Sequence, residues 1–174
     1  MQAMNLLYSI LVTCALAAPT GVGPGESPMK IDELLPGPAG FVVLHNTSAD
    51  PIHLGGWSAR ACTGSGSTEL AMLPAGSFVP GHGDYLIIAG GFAGTAEANL
   101  VVDSVAGNGL TLLDQSRQRV DSLGFAPHSP CRENREARLC DHLSLGRDAR
   151  STDTDDNLSD FTCQAPRPDI TPTE

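Results

Sequence analysis

Residues 152–161 read Thr-Asp-Thr-Asp-Asp-Asn-Leu-Ser-Asp-Phe and follow closely on Ser144-Leu145-Gly146-Arg147. So dense a set of side-chain oxygens is either a cation site or a hydrogen-bonded corner fastened by the nearby arginine. As a cation site, Asp153, Asp155, Asn157 and Asp160 are the calcium candidates, because D-x-D-x-N offers alternate ligands to an ion that takes roughly six to eight oxygens. The stretch is not an EF-hand, since Leu158 stands where that loop requires Gly and Gln164 where it requires Glu. As a corner, Asp153 or Asp155 pairs with Arg147, and the other side chains bond backbone amides at turns leading into the last strand. The corner reading is preferred; it makes Arg147 and Phe161 structural residues and the stretch a signature of the fold.

Upstream, short apolar runs alternate with turn residues and no stripe of helical period is sustained. Strands are expected at 29–35, 40–45, 52–54, 57–62, 69–73, 84–89, 100–102, 109–113, 119–124 and 160–164. Pro36-Gly37-Pro38, Gly64-Ser65-Gly66 and Gly107-Asn108-Gly109 supply the corners between them. About eight to ten short antiparallel strands form an all-β sandwich or barrel. Trp57, behind a Gly-Gly turn, is expected to be a large inward-facing core anchor. Residues 131–140 alternate Arg and Glu and suggest a single exposed helical turn.

A net charge of −10 repels a phosphate backbone, so nucleic acid is not an expected partner. The apolar run 5–18 falls short of the about 20 residues a spanning helix needs, but suits a signal peptide over 1–18 with Ala15-Leu16-Ala17 as its cleavage site. Lipidation at Cys14 is the weaker alternative. A Gly/Pro-rich linker (19–28), one domain (29–165) and a flexible proline-rich tail (166–174) follow, with no stable transmembrane segment after leader removal. Export to the cell surface or beyond favours disulfides among Cys62, Cys131, Cys140 and Cys163 over free thiols or a zinc site. Three pairings are open, and Cys131–Cys140 with Cys62–Cys163 is preferred.

Catalytic signals are weak. His45, His53, His82, His128 and His142 lie outside any hydrolase motif. Asp32 and Glu33 are adjacent on a strand and should face opposite ways. The Gly-rich 90–94 stretch lacks the lysine of a phosphate cradle. No catalytic residue or cofactor is assigned, calcium excepted.

Nine signals recur in order: Lys30-Ile31-Asp32-Glu33-Leu34, Phe41 to Asn46, Leu54-Gly55-Gly56-Trp57, Leu73-Pro74-Ala75-Gly76, Pro80 to Leu86, Leu110 to Asp114, Val120 to Gly124, Ser144 to Arg147, and Asp153 to Phe161. Together they resemble a lamin tail domain of the bacterial secreted type, across nearly all of 30–168. The departures are Val43-Leu44-His45-Asn46, where the family usually has Glu-Leu-Tyr-Asn, and Gly55, where it usually has Ser. The resemblance implies an immunoglobulin-like β-sandwich that acts as a non-catalytic binding or attachment module, with an unknown protein or surface glycan as partner. A calcium-dependent adhesion or carbohydrate-binding module is the alternative. The coiled-coil rod of nuclear lamins has no counterpart here, so filament assembly is not implied.

Overall fold

The computed structural model describes residues 27–167. The expected leader, Cys14 and most of the linker and tail lie outside the described residues. Twelve strands and one short helix run in the order β1 (Met29–Leu35), β2 (Phe41–Asn46), β3 (Ile52–His53), β4 (Ser58–Thr63), β5 (Gly66–Met72), β6 (Phe78–Val79), β7 (Asp84–Ala89), β8 (Leu100–Val102), β9 (Gly109–Leu113), β10 (Arg119–Gly124), β11 (Ser144–Gly146), α1 (Asn157–Asp160) and β12 (Thr162–Gln164). A six-stranded sheet, ordered β12-β11-β1-β2-β7-β8, packs against a four-stranded sheet, ordered β10-β9-β4-β5, and β3 pairs with β6 apart from both. The chain is therefore an all-β sandwich.

Inward-facing aliphatic side chains build the core between the sheets. Met29, Ile31 and Leu34 of β1, Val42 and Leu44 of β2, Ile87 of β7, Leu110 and Leu112 of β9 and Leu123 of β10 are buried together. β2 is apolar on both faces because its opposite face is covered as well: Phe41 and Val43 join Leu86 beneath Phe92, whose ring meets Phe41 edge-on at 5.9 Å. Phe92 lies in the connection from β7 to β8. That connection crosses over the sheet's outer face, so β8 enters parallel to β7, the one departure from the expected antiparallel pairing.

Several expectations are corrected. Trp57 is half-buried against the core margin, and the fully buried Leu54 takes the inward position at that turn. The turn closes through the Trp57 amide, which donates to the Leu54 carbonyl at 2.9 Å. Residues 131–140 are not helical. Asn134 adopts a left-handed φ of 50°, and the Glu133 and Arg135 carbonyls accept hydrogen bonds from the α1 amides of Asn157 and Leu158 instead of from their own segment. The disulfides are Cys62–Cys131 and Cys140–Cys163, with Cα separations of 6.1 and 5.6 Å, and not the preferred pairing. Cys131 is drawn to the four-stranded sheet and Cys140 to β12, because the connection runs between those two places. Arg167, at the start of the expected tail, is held against β1: its guanidinium donates to Glu33 Oε2 at 3.0 Å and to Asp32 Oδ2 at 2.9 Å. That shared contact arises because β1 is bulged between Ile31 and Glu33, which breaks the alternation expected of Asp32 and Glu33.

Candidate functional site

β11 pairs with β1 only at Glu33 and Leu34, so the Ile31 edge is left without a neighbouring strand just past the bulge. Buried backbone groups need partners, and two side chains provide them. Asp121 Oδ2 accepts from the Ile31 amide at 2.6 Å, and Arg147 Nε donates to the Ile31 carbonyl at 3.0 Å. Arg147 directly follows β11, so its side chain continues the edge where the strand stops. Asp121 shares the parity of Leu123 on β10 and therefore projects inward, across the sandwich, to reach the opposite sheet.

The Arg147 guanidinium is fully buried and gathers acids on all sides. Nη2 donates to Asp121 at 3.1 and 3.2 Å, and Nη1 lies 3.4 Å from both Asp153 Oδ1 and Asp160 Oδ2. Its Nη1 also donates to the Thr152 carbonyl at 2.7 Å. The plane lies over the Phe161 ring at 4.4 Å, a cation–π contact closing the remaining side. Burial works against the charge, but Asp121, Asp153 and Asp160 outweigh it and hold the arginine pKa above its ordinary value.

The sequence-predicted calcium ligands are distributed among several partners. Asp153 faces Lys30 Nζ at 2.7 Å and Arg147. Asp160 accepts from the Thr154 amide at 2.9 Å and its hydroxyl at 2.6 Å. Asp155 is exposed, in a left-handed turn at φ 55°. Asn157 turns the other way: Oδ1 accepts from the Gly124 and Glu133 amides at 2.8 and 2.9 Å, and Nδ2 donates to the Ser122 carbonyl and Glu133 Oε2 at 2.9 and 3.2 Å. Asp156, just before α1, pairs with Arg135.

A different set of carboxylates comes together. Asp121, Glu133 and Asp153 each bring an oxygen within 4.8 Å of the others. Burial, then the charges of Asp121 and Asp153, push the Glu133 carboxyl up to about 8. Burial likewise raises Asp121 to about 6, although Arg147 and the Ile31 and Ser122 amides pull it down. For Asp153 burial is outweighed by the Lys30 hydrogen bond and Arg147, which hold it below the usual carboxylate range. The ionised members therefore surround the guanidinium, while Glu133 is the member that retains a proton near neutrality. Sequence reasoning missed Asp121 and Glu133. The parity of Asp121 with Leu123 could have exposed the first; nothing local marks Glu133, which is delivered by the disulfide-anchored connection between β10 and β11.

That connection seats tightly. A Cβ placed on Gly124 would meet the Arg132 amide nitrogen at 2.6 Å, so only glycine allows so close an approach. No helix among the described residues is long and apolar enough to cross a membrane. No protein-family model matches the chain, and no curated protein matches it.

Proposed function

We propose that the chain is an exported, non-catalytic module of the lamin tail type that binds or attaches at the cell surface or outside the cell. The observation that carries this reading is the double staple. Cys62–Cys131 and Cys140–Cys163 fix a long connection to both sheets of a sandwich, a construction suited to an oxidising compartment. The ordered sequence motifs add the family, and the most prominent of them, the acidic corner, is accounted for by Arg147. Recognition is then left to the sheet margins. β8 ends the six-stranded sheet with Val101 62% exposed, and β5 ends the other with Met72 49% exposed.

The test follows the full chain in the cell that makes it, by fractionation combined with thiol labelling, and then titrates purified chain onto intact cells. The reading predicts recovery outside the cytoplasm with no labelled thiols among the four cysteines, and saturable surface binding that unlabelled chain displaces. Cytoplasmic recovery with reduced cysteines, or binding that never saturates, would overturn it.

A further inference from the structure

Lys30 is the chain's single lysine, and it lies inside the fold on β1, 5% exposed. Its Nζ stands 2.7 Å from Asp153 Oδ2, with the two side chains 6% and 8% exposed. Arg147 Nη1 is 3.4 Å from the other Asp153 oxygen, Oδ1, and Glu133 has an oxygen within 4.8 Å of one from Asp153. An amine and a carboxyl held in contact away from bulk water need no collision to react, and positioning of this kind replaces a large part of a bimolecular barrier. We propose that Lys30 and Asp153 condense into an intramolecular amide, a covalent clamp between the first strand and the segment leading into the last.

The atoms balance without any co-reactant. The resting pair is ammonium and carboxylate, so the step begins when Nζ returns a proton to Oδ2 across their hydrogen bond. The freed amine attacks Asp153 Cγ, an N–C bond forms, and negative charge gathers on Oδ1 beside the fixed Arg147 guanidinium. Glu133, whose burial keeps its carboxyl protonated near neutrality, gives a proton to Oδ2 through one water and takes one back from nitrogen. The Cγ–Oδ2 bond then breaks, and Oδ2 leaves as water into the surface recess lined by Ser27, Thr47 and Thr152. Among the described residues, the neighbouring acids are engaged elsewhere: Asp121 is bound by Arg147 and two backbone amides, and Asp160 by Thr154 and Arg147.

Intact mass and peptide mapping of the full chain, unfolded and reduced, test the proposal. Wild type is expected one water lighter than its sequence, resistant to trypsin after Lys30, and to yield a branched peptide carrying residues 30 and 153. Asp153→Asn should reach the same final mass by losing ammonia instead of water, whereas Asp153→Ala and Lys30→Arg should keep their full masses. Glu133→Gln should slow the crosslink by about a hundredfold or more, and an unchanged rate would remove Glu133 from the step. Wild-type chain at full mass after long incubation at neutral pH, cleaved by trypsin after Lys30 once unfolded, would overturn the proposal whatever the variants do.

Discussion

Asn157 makes four hydrogen bonds that join β10, the disulfide-anchored connection and α1. Replacing it with Ala strands two buried amides and a carbonyl, each costing about 1–3 kcal/mol when left unpaired. Denaturant unfolding of Asn157→Ala should therefore show a loss of about 3 kcal/mol or more, far above that of Asp155→Ala, whose side chain is exposed. The sequence could not rank these two residues, because D-x-D-x-N spacing marks both as alternate oxygens and the turn into α1 that separates them is set by tertiary contacts. Glu133 gives a prediction in pH. Its folded pKa of about 8 lies above the ordinary glutamate value of 4.5 expected in the unfolded chain, so between those values the folded state holds more protons and stability falls as pH rises, by up to about 1.4 kcal/mol per pH unit. Glu133→Gln should flatten the fall in melting temperature between pH 5 and 9. An equally steep fall in the variant would assign the dependence to other groups. Trp57→Ala should cost only about 1.5–3 kcal/mol, because the ring lies at the core margin.

Between β10 and β11, the connection spanning 125–143 is the element that the sequence described least well. Alternating Arg and Glu is a legitimate helical signal, but it is a local one. The decisive contacts are remote: Cys131 to Cys62, Cys140 to Cys163, and the α1 amides that take the Glu133 and Arg135 carbonyls. Cys140→Ser with Cys163→Ser should lower stability by about 3 kcal/mol and Cys62→Ser with Cys131→Ser by about 4, following the loops of 23 and 69 residues that the bonds close. Gly124→Ala should cost at least as much as one disulfide if the connection seats against β10, since the new methyl would press on the Arg132 backbone. A near-neutral Gly124→Ala, measured by thermal unfolding, would mean that the connection stands off from the sheet. The strands, by contrast, were legible. β1, β7, β8, β9 and β10 fall on the expected residues, because a short apolar run bounded by turn residues is a local signal that needs no remote contact to read.

For the whole molecule, one buried guanidinium joins two sheets, α1 and the Phe161 ring between α1 and β12. Arg147 receives Asp121 from β10, Asp153 and Asp160 from the acidic corner, and the Phe161 ring, while bonding the β1 edge at Ile31. The sequence placed Arg147 near the acidic stretch and suggested their pairing; parity with Leu123 marks Asp121 as inward-facing, but only the closed sandwich identifies Arg147 as its partner. The parallel β7–β8 pair was hidden for a similar reason, since the chain has to cross an outer apolar face that alternation within single strands does not reveal. Calorimetry should find no calcium binding to the folded chain, because Arg147, Lys30 and backbone amides already hold the corner's oxygens; a stoichiometric calcium signal would restore the adhesion reading. The most direct measurement is denaturant unfolding of Arg147→Met beside wild type, each with calcium and with chelator. Removing one partner from a buried charge cluster costs about 3–5 kcal/mol, so the variant is predicted to lose that much, with calcium leaving both midpoints unmoved. Wild-type stability in Arg147→Met, or midpoints that rise with calcium, would contradict the account.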